Sequence, residues 1–263
     1  MTQRLTEFAN ACTQAADLGG QVLLKWLGKT STREKGFRDL VTQADMESQQ
    51  VIRDFLLGEF PDHHFVGEED SPDQVAADSD QDYCWIVDPL DGTTNYVHQL
   101  RSFAVSVALQ HGNETLVGSV LDPVLNESFS AIKNQGARLN DEPIQSSGCN
   151  ELGQALFVFS LGRGIDRNDV QVTRFLNTLE SAGSVRRLGS AALNLCYLAC
   201  GRVDGYWATE LKKWDVAAGW LIATEAGATI KDFRDKPIDL EAPFFCAAAT
   251  HELYEQIRPL LDI

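Results

Sequence analysis

The N-terminal part of the chain carries apolar side chains at helical spacing. Between residues 5 and 27, apolar positions recur every three or four residues, which predicts a long amphipathic helix. Residues 39–42 are interpreted as a short extended or turning segment. A second helix is predicted after Thr42, whose hydroxyl can cap it, with Asp45 in the first turn, where a carboxylate suits the helix dipole. Residues 64–66 predict a strand ending at Gly67, and the acidic run to Asp82 predicts a solvated loop.

From the middle of the chain onward, short apolar runs separated by turn residues replace the helical spacing. Three such runs predict a meander of mostly antiparallel strands at residues 103–109, 115–121 and 128–132. Strand and helix patterns then alternate. The predicted strands are 156–160, 185–188, 203–207, 229–231 and 244–248, and the predicted helices are 168–181, 190–199, 214–226 and 251–260. This order predicts one domain over residues 1–263, α+β in residues 1–150 and α/β in residues 151–263.

The segment from Trp85 to Asn95 carries the candidate chemistry. A strand-forming run delivers Asp88, and Pro89 is predicted to stop that strand at once. Asp91 follows, and the small residues after it offer free backbone donors and hydroxyls. Carboxylates beside such a loop can hold hard divalent cations against a phosphate. Taken alone, the segment is more typical of a surface turn.

Acidic residues elsewhere favour the metal interpretation. Four separate segments place acids at the edges of apolar elements, namely Asp45, Glu68-Glu69, Asp88 with Asp91, and Asp215. A helix cap would explain Asp215 alone, and a solvated face would explain Glu68 and Glu69 alone. Acids at element ends across the chain are where a shared site can form, and oxygen-only ligands suit Mg²⁺ or Mn²⁺ rather than zinc.

Composition limits the partners of the chain. Its 263 residues are 44% hydrophobic and carry a net charge of −16, which disfavours nucleic acid and anionic membranes. The same charge would repel a phosphorylated metabolite unless bound cations reverse it locally. No apolar run approaches the roughly 20 residues of a membrane span. The N-terminus lacks a signal-peptide pattern and the six cysteines form no CxxC pair, so a cytoplasmic location with reduced thiols is predicted.

Motifs of other enzyme classes are absent from the sequence. There is no GxxxxGK[ST] phosphate loop, no GxGxxG, no HExxH and no GxSxG. Cys196 and Cys200 lie four apart on a predicted helix, and we interpret them as small buried residues because no histidine pattern supports a metal site. Nucleotide-dependent, zinc-dependent and serine-dependent hydrolysis are therefore poorly supported.

Several motifs together resemble the inositol monophosphatase family. They are Gly67-Glu68-Glu69, residues 85–96, residues 214–219 and Glu225-Ala226-Gly227, with residues 39–45 and 189–192 as further matches. The resemblance covers nearly the whole chain in the family's order. It implies an αβαβα sandwich of the inositol monophosphatase and fructose-1,6-bisphosphatase type. It also implies a homodimeric phosphoric monoester hydrolase that requires Mg²⁺ and is inhibited by Li⁺.

The resemblance also implies roles for individual residues. Glu68, Asp88 and the backbone carbonyl of Leu90 would hold one Mg²⁺, and Asp88, Asp91 and Asp215 a second, with Glu68 supporting a weaker third ion through water. Mn²⁺ is a second candidate cofactor. Thr93, Asp45 and Glu68 are the candidate catalytic residues, with Thr93 and Asp45 orienting or deprotonating the attacking water. The expected substrate-binding residues are Asp91, Gly92, Thr93, Gly189, Ser190, Ala191 and Glu210.

The substrate is the point at which the resemblance weakens. Many members carry a glutamate seven residues before the second-motif aspartate, where this chain has Ala208, and the nearest acid is Glu210. Glu210 either reaches the substrate from its loop or is a solvated acid. Arg186 and Arg187 approach a second phosphate, line a dimer interface or face solvent. The expected substrate is inositol 1-phosphate or a related polyol or sugar phosphate. The alternatives are fructose 1,6-bisphosphate, nucleotide 3′-phosphates, or a regulatory protein that binds a partner.

Overall fold

The computed structural model describes residues 2–29, 32–36, 39–70, 82–162 and 164–263. The predicted loop up to Asp82 therefore falls almost entirely outside the described residues. In the first part of the chain the elements are α1 (Thr2–Trp26), β1 (Thr32–Gly36), β2 (Asp39–Thr42), α2 (Gln43–Glu59), β3 (His64–Gly67), β4 (Tyr83–Asp91), α3 (Thr93–Val97), β5 (Ala104–His111), β6 (Glu114–Asp122), β7 (Glu127–Ile132), β8 (Ala137–Leu139) and β9 (Glu142–Ile144).

The second part of the chain alternates strands and helices, as its pattern predicts. After a 3₁₀ turn at Leu152–Gln154 come β10 (Leu156–Ser160), α4 (Val170–Ser181), β11 (Ser184–Arg186), α5 (Ala191–Ala199), β12 (Gly205–Ala208), α6 (Lys213–Glu225), β13 (Thr229–Lys231), β14 (Phe245–Ala248) and α7 (His251–Leu261). The predicted helices and strands are all present, with ends shifted by a few residues. The short elements β1, α3, β8 and β9 lack a strong apolar period, and the sequence did not indicate them.

The strands form two large sheets. The larger sheet has seven strands in the order β3-β4-β5-β6-β7-β8-β9, and the smaller has five in the order β11-β10-β12-β14-β13. In the larger sheet β3 and β4 are parallel and the other pairs are antiparallel, which confirms the meander. In the smaller sheet β10 runs parallel to both of its neighbours, β11 and β12. The carboxyl ends of these three strands therefore lie at one edge of the sheet.

Three hydrophobic cores lie between the layers of helices and sheets. In β4, Trp85 and Val87 pack with α1 and α2 on one face, while Ile86 points to a central core with α5 and α6. That central core also receives the inner face of the smaller sheet, whose outer face packs against α7 and α4. The alternation along β4 follows from the two-residue period of a strand. The result is the predicted five-layer αβαβα sandwich.

One local expectation is wrong. Pro89 does not stop β4, which continues to Asp91 and pairs there with Ala104 of β5. The register shifts between Asp88 and Asp91, so β4 has one more residue than the facing segment of β5. A bulge accommodates proline because the extra residue leaves the hydrogen-bond ladder. Because of this bulge, both aspartates lie at the end of a buried strand rather than in a surface turn.

Candidate active site

Carboxylates from the larger sheet and from helix α6 meet around one cavity. Glu68 follows β3, and its backbone N–H donates to the carbonyl of Val87 at 3.1 Å, so it lies beside the end of β4. Asp88 and Asp91 end β4, and Asp215 lies in the first turn of α6. These four residues line a cavity of about 200 Å³ together with Leu90, Gly92, Thr93, Thr94, Ser160, Leu161, Arg187, Gly189, Ala191 and Leu211. The structure thus brings together all five predicted metal ligands.

Backbone N–H groups hold these carboxylates in place. Asp88 Oδ1 accepts the N–H of Leu90 at 2.9 Å, and Asp215 Oδ2 accepts the N–H of Lys212 at 2.8 Å. Asp91 accepts the N–H groups of Ala191 at 3.1 Å and Ala192 at 2.7 Å, and also the hydroxyl of Ser190. Asp91 therefore binds the N-terminus of α5, which fastens the second half of the chain to the end of β4.

The crowding of negative charge changes the acidity of the site. Burial raises the pKa of Asp88 well above its usual range, and the charges of Glu68, Asp91 and Asp215 raise it further. Burial also raises the pKa of Asp91, although its hydrogen bonds to the start of α5 oppose that shift. Asp88 is 1% exposed, so water does little to relieve this repulsion. The site favours a bound positive charge.

The donor set fits a hard divalent cation. Among the described residues, no group of three or more His, Cys, Asp or Glu side chains is arranged to hold a metal ion as it stands. Glu68, Asp88, Asp91 and Asp215 nevertheless line one cavity, and the charges of the other three act on Asp88. Carboxylate oxygens keep a lone pair beside each hydrogen bond, and Mg²⁺ prefers such oxygens. A bound cation would offset the repulsion among these carboxylates.

Two glycines let the loops beside these acids approach closely. Gly92 has φ +94°, and Gly189 has φ +90°, both in the left-handed region. A Cβ on Gly189 would lie 2.8 Å from Asn95 Nδ2, so a side chain cannot be accommodated there. Asn95 Nδ2 donates to the carbonyls of Ser102 and Leu188, each at 2.7 Å. This bridge holds the Gly189–Ala191 segment against the Gly92–Thr93 loop.

Comparison with known proteins assigns the family. The model of the inositol monophosphatase family matches residues 4–262 of this chain. The chain belongs to the inositol monophosphatase family. This confirms the resemblance that the motifs indicated, and membership supports a phosphatase.

Relatives in the inositol monophosphatase family carry two kinds of name. The chain is 36% identical over 262 residues to the Nus factor SuhB of Pasteurella multocida (strain Pm70), covering 96% of each chain. It is 38% identical over 244 residues to an inositol monophosphatase of Mesembryanthemum crystallinum, covering 90% of this chain and 89% of the relative. The solved inositol monophosphatase of Anabaena (Nostoc) sp. PCC 7120 superimposes with a TM-score of 0.84 at 32% identity, covering 98% of this chain and 96% of that one. The layered fold is therefore shared, while the names leave the substrate open.

Of the candidate catalytic residues Thr93 and Asp45, only Thr93 lines the cavity in the described part of the chain. Thr93 lines the cavity, and its hydroxyl donates to the carbonyl of Leu90 at 3.2 Å. Asp45 is 1% exposed, and its Oδ2 accepts the backbone N–H and the hydroxyl of Thr42 in a capping box. Asp45 is not among the described residues that line the cavity. The predicted cap by Thr42 is confirmed, and Asp45 supports the start of α2.

The two candidate substrate-recognition positions at or just after the end of β12, Ala208 and Glu210, do not line the described cavity either. Ala208 is fully buried in β12, and Glu210 follows in a loop at φ +57°. The carboxylate of Glu210 accepts Gln171 Nε2 at 3.1 Å and packs directly over Gly162. Neither Ala208 nor Glu210 is among the described residues that line the cavity. A role for Glu210 in substrate binding stays a prediction.

Several lining residues were missed by the sequence argument. Ser160, Leu161 and Leu211 border the cavity, and Ser160 Oγ lies 2.9 Å from the hydroxyl of the buried Tyr206. The sequence signal that could have found them is their position, because each lies at the end of a predicted strand of the smaller sheet or in the loop after one. The sequence argument left three alternatives for Arg187, and the structure places it on the cavity wall.

None of the helices in the described part of the chain has the length and apolar character that a membrane span requires.

Proposed function

We propose that the protein is a Mg²⁺-dependent phosphatase that releases phosphate from small monoesters, with inositol 1-phosphate or a related polyol or sugar phosphate as substrate. One observation carries this proposal. Four carboxylates and the Leu90 residue meet beside Gly92 and Thr93 in one cavity. An anionic substrate enters such a site only with cations present, and the donor set is the kind that Mg²⁺ prefers.

The proposed ligands divide between the two halves of the chain. Glu68, Asp88 and the Leu90 carbonyl hold one ion, while Asp88, Asp91 and Asp215 hold the other, with Glu68 supporting a weaker third ion through water. When bound, two such ions lower the pKa of a water molecule and stabilise the leaving oxygen. Asp88 belongs to both sets, which explains why its burial among like charges is tolerated. Mn²⁺ would use the same oxygens.

The chain's own groups receive the phosphate and orient the water. Gly92 and Thr93 offer backbone N–H groups at the start of α3, where the first-turn N–H groups have no carbonyl partner within the helix. The Thr93 hydroxyl donates to the Leu90 carbonyl, so its oxygen is free to accept a hydrogen bond from the attacking water and orient it. Asp45 is not among the described residues that line the cavity, and its role in orienting or deprotonating the water stays a prediction. Gly189, Ser190 and Ala191 position Asp91 and close the wall beside it.

Phosphate release with Mg²⁺, with excess chelator and with added Li⁺ tests the proposal. We expect release with Mg²⁺, none with chelator, and inhibition by Li⁺ at tens of millimolar. Asp88→Asn should abolish release because it removes a ligand of both ions. Full release by that variant or in chelator would reject the metal mechanism. Inositol 1-phosphate, fructose 1,6-bisphosphate and a nucleotide 3′-phosphate, ranked by kcat/KM, would identify the substrate.

A second candidate function is the binding of a protein partner. It is favoured by the similarity, over almost the whole chain, to a relative named Nus factor SuhB. Complementation separates the two functions: the wild-type protein and Asp88→Asn are each expressed in a host strain that lacks this gene, and recovery of the strain's growth is measured. Rescue by the inactive Asp88→Asn protein would support partner binding, whereas failure of an otherwise folded Asp88→Asn protein would support catalysis. A homodimer and a cytoplasmic location stay predictions, and sedimentation of the purified protein tests the first.

A further inference from the structure

The smaller sheet supplies one wall of the cavity. Because β10, β11 and β12 run in the same direction, their carboxyl ends lie at the same edge. Ser160 ends β10 and Leu161 follows it, Arg187 follows β11, and Leu211 lies in the loop after β12. The larger sheet supplies Glu68, Asp88 and Asp91 to the same cavity. A phosphate at Gly92 and Thr93 therefore leaves the rest of the substrate facing the edge of the smaller sheet.

Arg187 sets the charge of that wall. It is the one cationic side chain among the described residues that line the cavity. It is exposed, and no salt bridge joins it to a carboxylate in the described part of the chain. Its neighbour Arg186 behaves differently, because Arg186 Nη1 donates to Ser184 Oγ at 2.6 Å and to the Val185 carbonyl at 2.8 Å. Arg187 therefore has no such partner within the described part of the chain, and its guanidinium is open to a ligand.

Among the described residues that the smaller sheet contributes to the cavity, none is an acid that would compete for this guanidinium. Leu161 and Leu211 are apolar, and Ala208 at the end of β12 is buried. The nearby carboxylate of Glu210 is bound by Gln171. A neutral polyol gains little from a solvated guanidinium, whereas a phosphate or carboxylate accepts paired, charge-assisted hydrogen bonds from it.

We propose that Arg187 determines specificity by binding a second anionic group, a phosphate or a carboxylate, on the leaving group of the substrate. Substrates that carry such a group are then preferred over their neutral counterparts. This inference rests on the proposed phosphatase function and names the substrate class of the same site.

Two matched substrate pairs test the inference with Mg²⁺-loaded protein. Fructose 1,6-bisphosphate is compared with fructose 1-phosphate, and 2-phosphoglycerate with glycerol 2-phosphate, so each pair differs by one anionic group. In the wild-type protein the anionic member of a pair should have the higher kcat/KM. Arg187→Met should lower the ratio of kcat/KM within that pair about tenfold, near the lower limit for a charged hydrogen bond because the site is exposed. Arg187→Lys should keep part of the ratio.

Arg186→Met is the matched control, because it removes the same charge one residue away and outside the cavity. It should leave the ratios unchanged. A fall confined to the first pair assigns a phosphate, and a fall confined to the second assigns a carboxylate. Equal losses on both members of each pair, or unchanged ratios in Arg187→Met, would overturn the inference while the phosphatase function stands. If the wild-type protein releases phosphate from inositol 1-phosphate but from none of the four compounds, this inference fails alone. If it releases phosphate from none of the five, the proposed function fails and this inference with it.

Discussion

At the scale of single residues, Asp88 is a site residue whose burial beside other carboxylates lowers the stability of the metal-free protein. It is buried among like charges that raise its pKa. Asp88→Asn removes one of these charges, so the metal-free protein should be as stable as the wild type or more stable. Saturating Mg²⁺ should stabilise the wild type by about 2.7 kcal/mol at 100 times Kd, and Asp88→Asn should lose most of that gain.

Thermal unfolding in chelator and in Mg²⁺ measures both effects of Asp88→Asn. Asp141→Asn is the control, because it makes the same change at an exposed position outside the cavity. A Mg²⁺-induced rise in Tm that survives in Asp88→Asn would contradict the assignment of Asp88 as a shared ligand.

Glu210 carries a second prediction at this scale. Its left-handed backbone costs roughly 1 kcal/mol for any residue other than glycine, and its carboxylate is bound by Gln171. Glu210→Ala loses the hydrogen bond and keeps the strain, so Glu210→Gly should be the more stable variant by roughly 1 kcal/mol. Neither should greatly change kcat/KM for inositol 1-phosphate. A tenfold loss in both would instead make Glu210 a substrate ligand.

At the scale of elements, the contact between α6 and the larger sheet positions Asp215. Gly118 of β6 lies so close to this helix that a Cβ there would be 2.9 Å from the Cα of Ala218. The obstacle is backbone, so Gly118→Ala must push α6 away from the sheet. We expect a loss of about 1–3 kcal/mol in the free energy of unfolding, and weaker Mg²⁺ binding because α6 carries Asp215.

Gly58→Ala is the matched control for Gly118→Ala. Gly58 lies in α2 with nothing within 4 Å of its added Cβ, so alanine should stabilise the helix by about 0.5–1 kcal/mol. Denaturant unfolding and Mg²⁺ titration of both variants check the pair. Unchanged Mg²⁺ affinity in Gly118→Ala would mean that α6 is not the element that positions Asp215.

At the scale of the whole molecule, both halves of the chain build the central core. Ile86 and Val120 come from the first half, and Leu195 and Ile222 from the second. The candidate metal site spans the same boundary, since Asp91 accepts hydrogen bonds from the start of α5. Because neither half can bury its inner face alone, we expect one unfolding transition for residues 1–263.

Calorimetry and hydrogen exchange test this cooperativity. The calorimetric and van't Hoff enthalpies should agree, and amides of β5 and β12 should exchange through the same global opening. Two transitions, with β12 opening before β5, would divide the chain into two independent domains.

The sequence alone determined the family, the fold class and the metal-ligand candidates. Periodic burial made α1, α2 and the meander predictable, because helices and strands bury residues at fixed intervals. The Asp88, Asp91 and Asp215 motifs were recognisable because metal chemistry requires specific residue types. Thr42 was predictable as a cap because its effect is local.

Only the tertiary structure decided where these residues meet. The bulge at Pro89, the binding of Asp91 to α5 and the hydrogen bond from Gln171 to Glu210 depend on contacts between distant segments. No local pattern records such contacts. Arg187 looked like Arg186 in the sequence, and only the common direction of β10, β11 and β12 placed it on the cavity wall. Charge and periodicity are properties of the chain, whereas the identity of a residue's partners is a property of the packed layers.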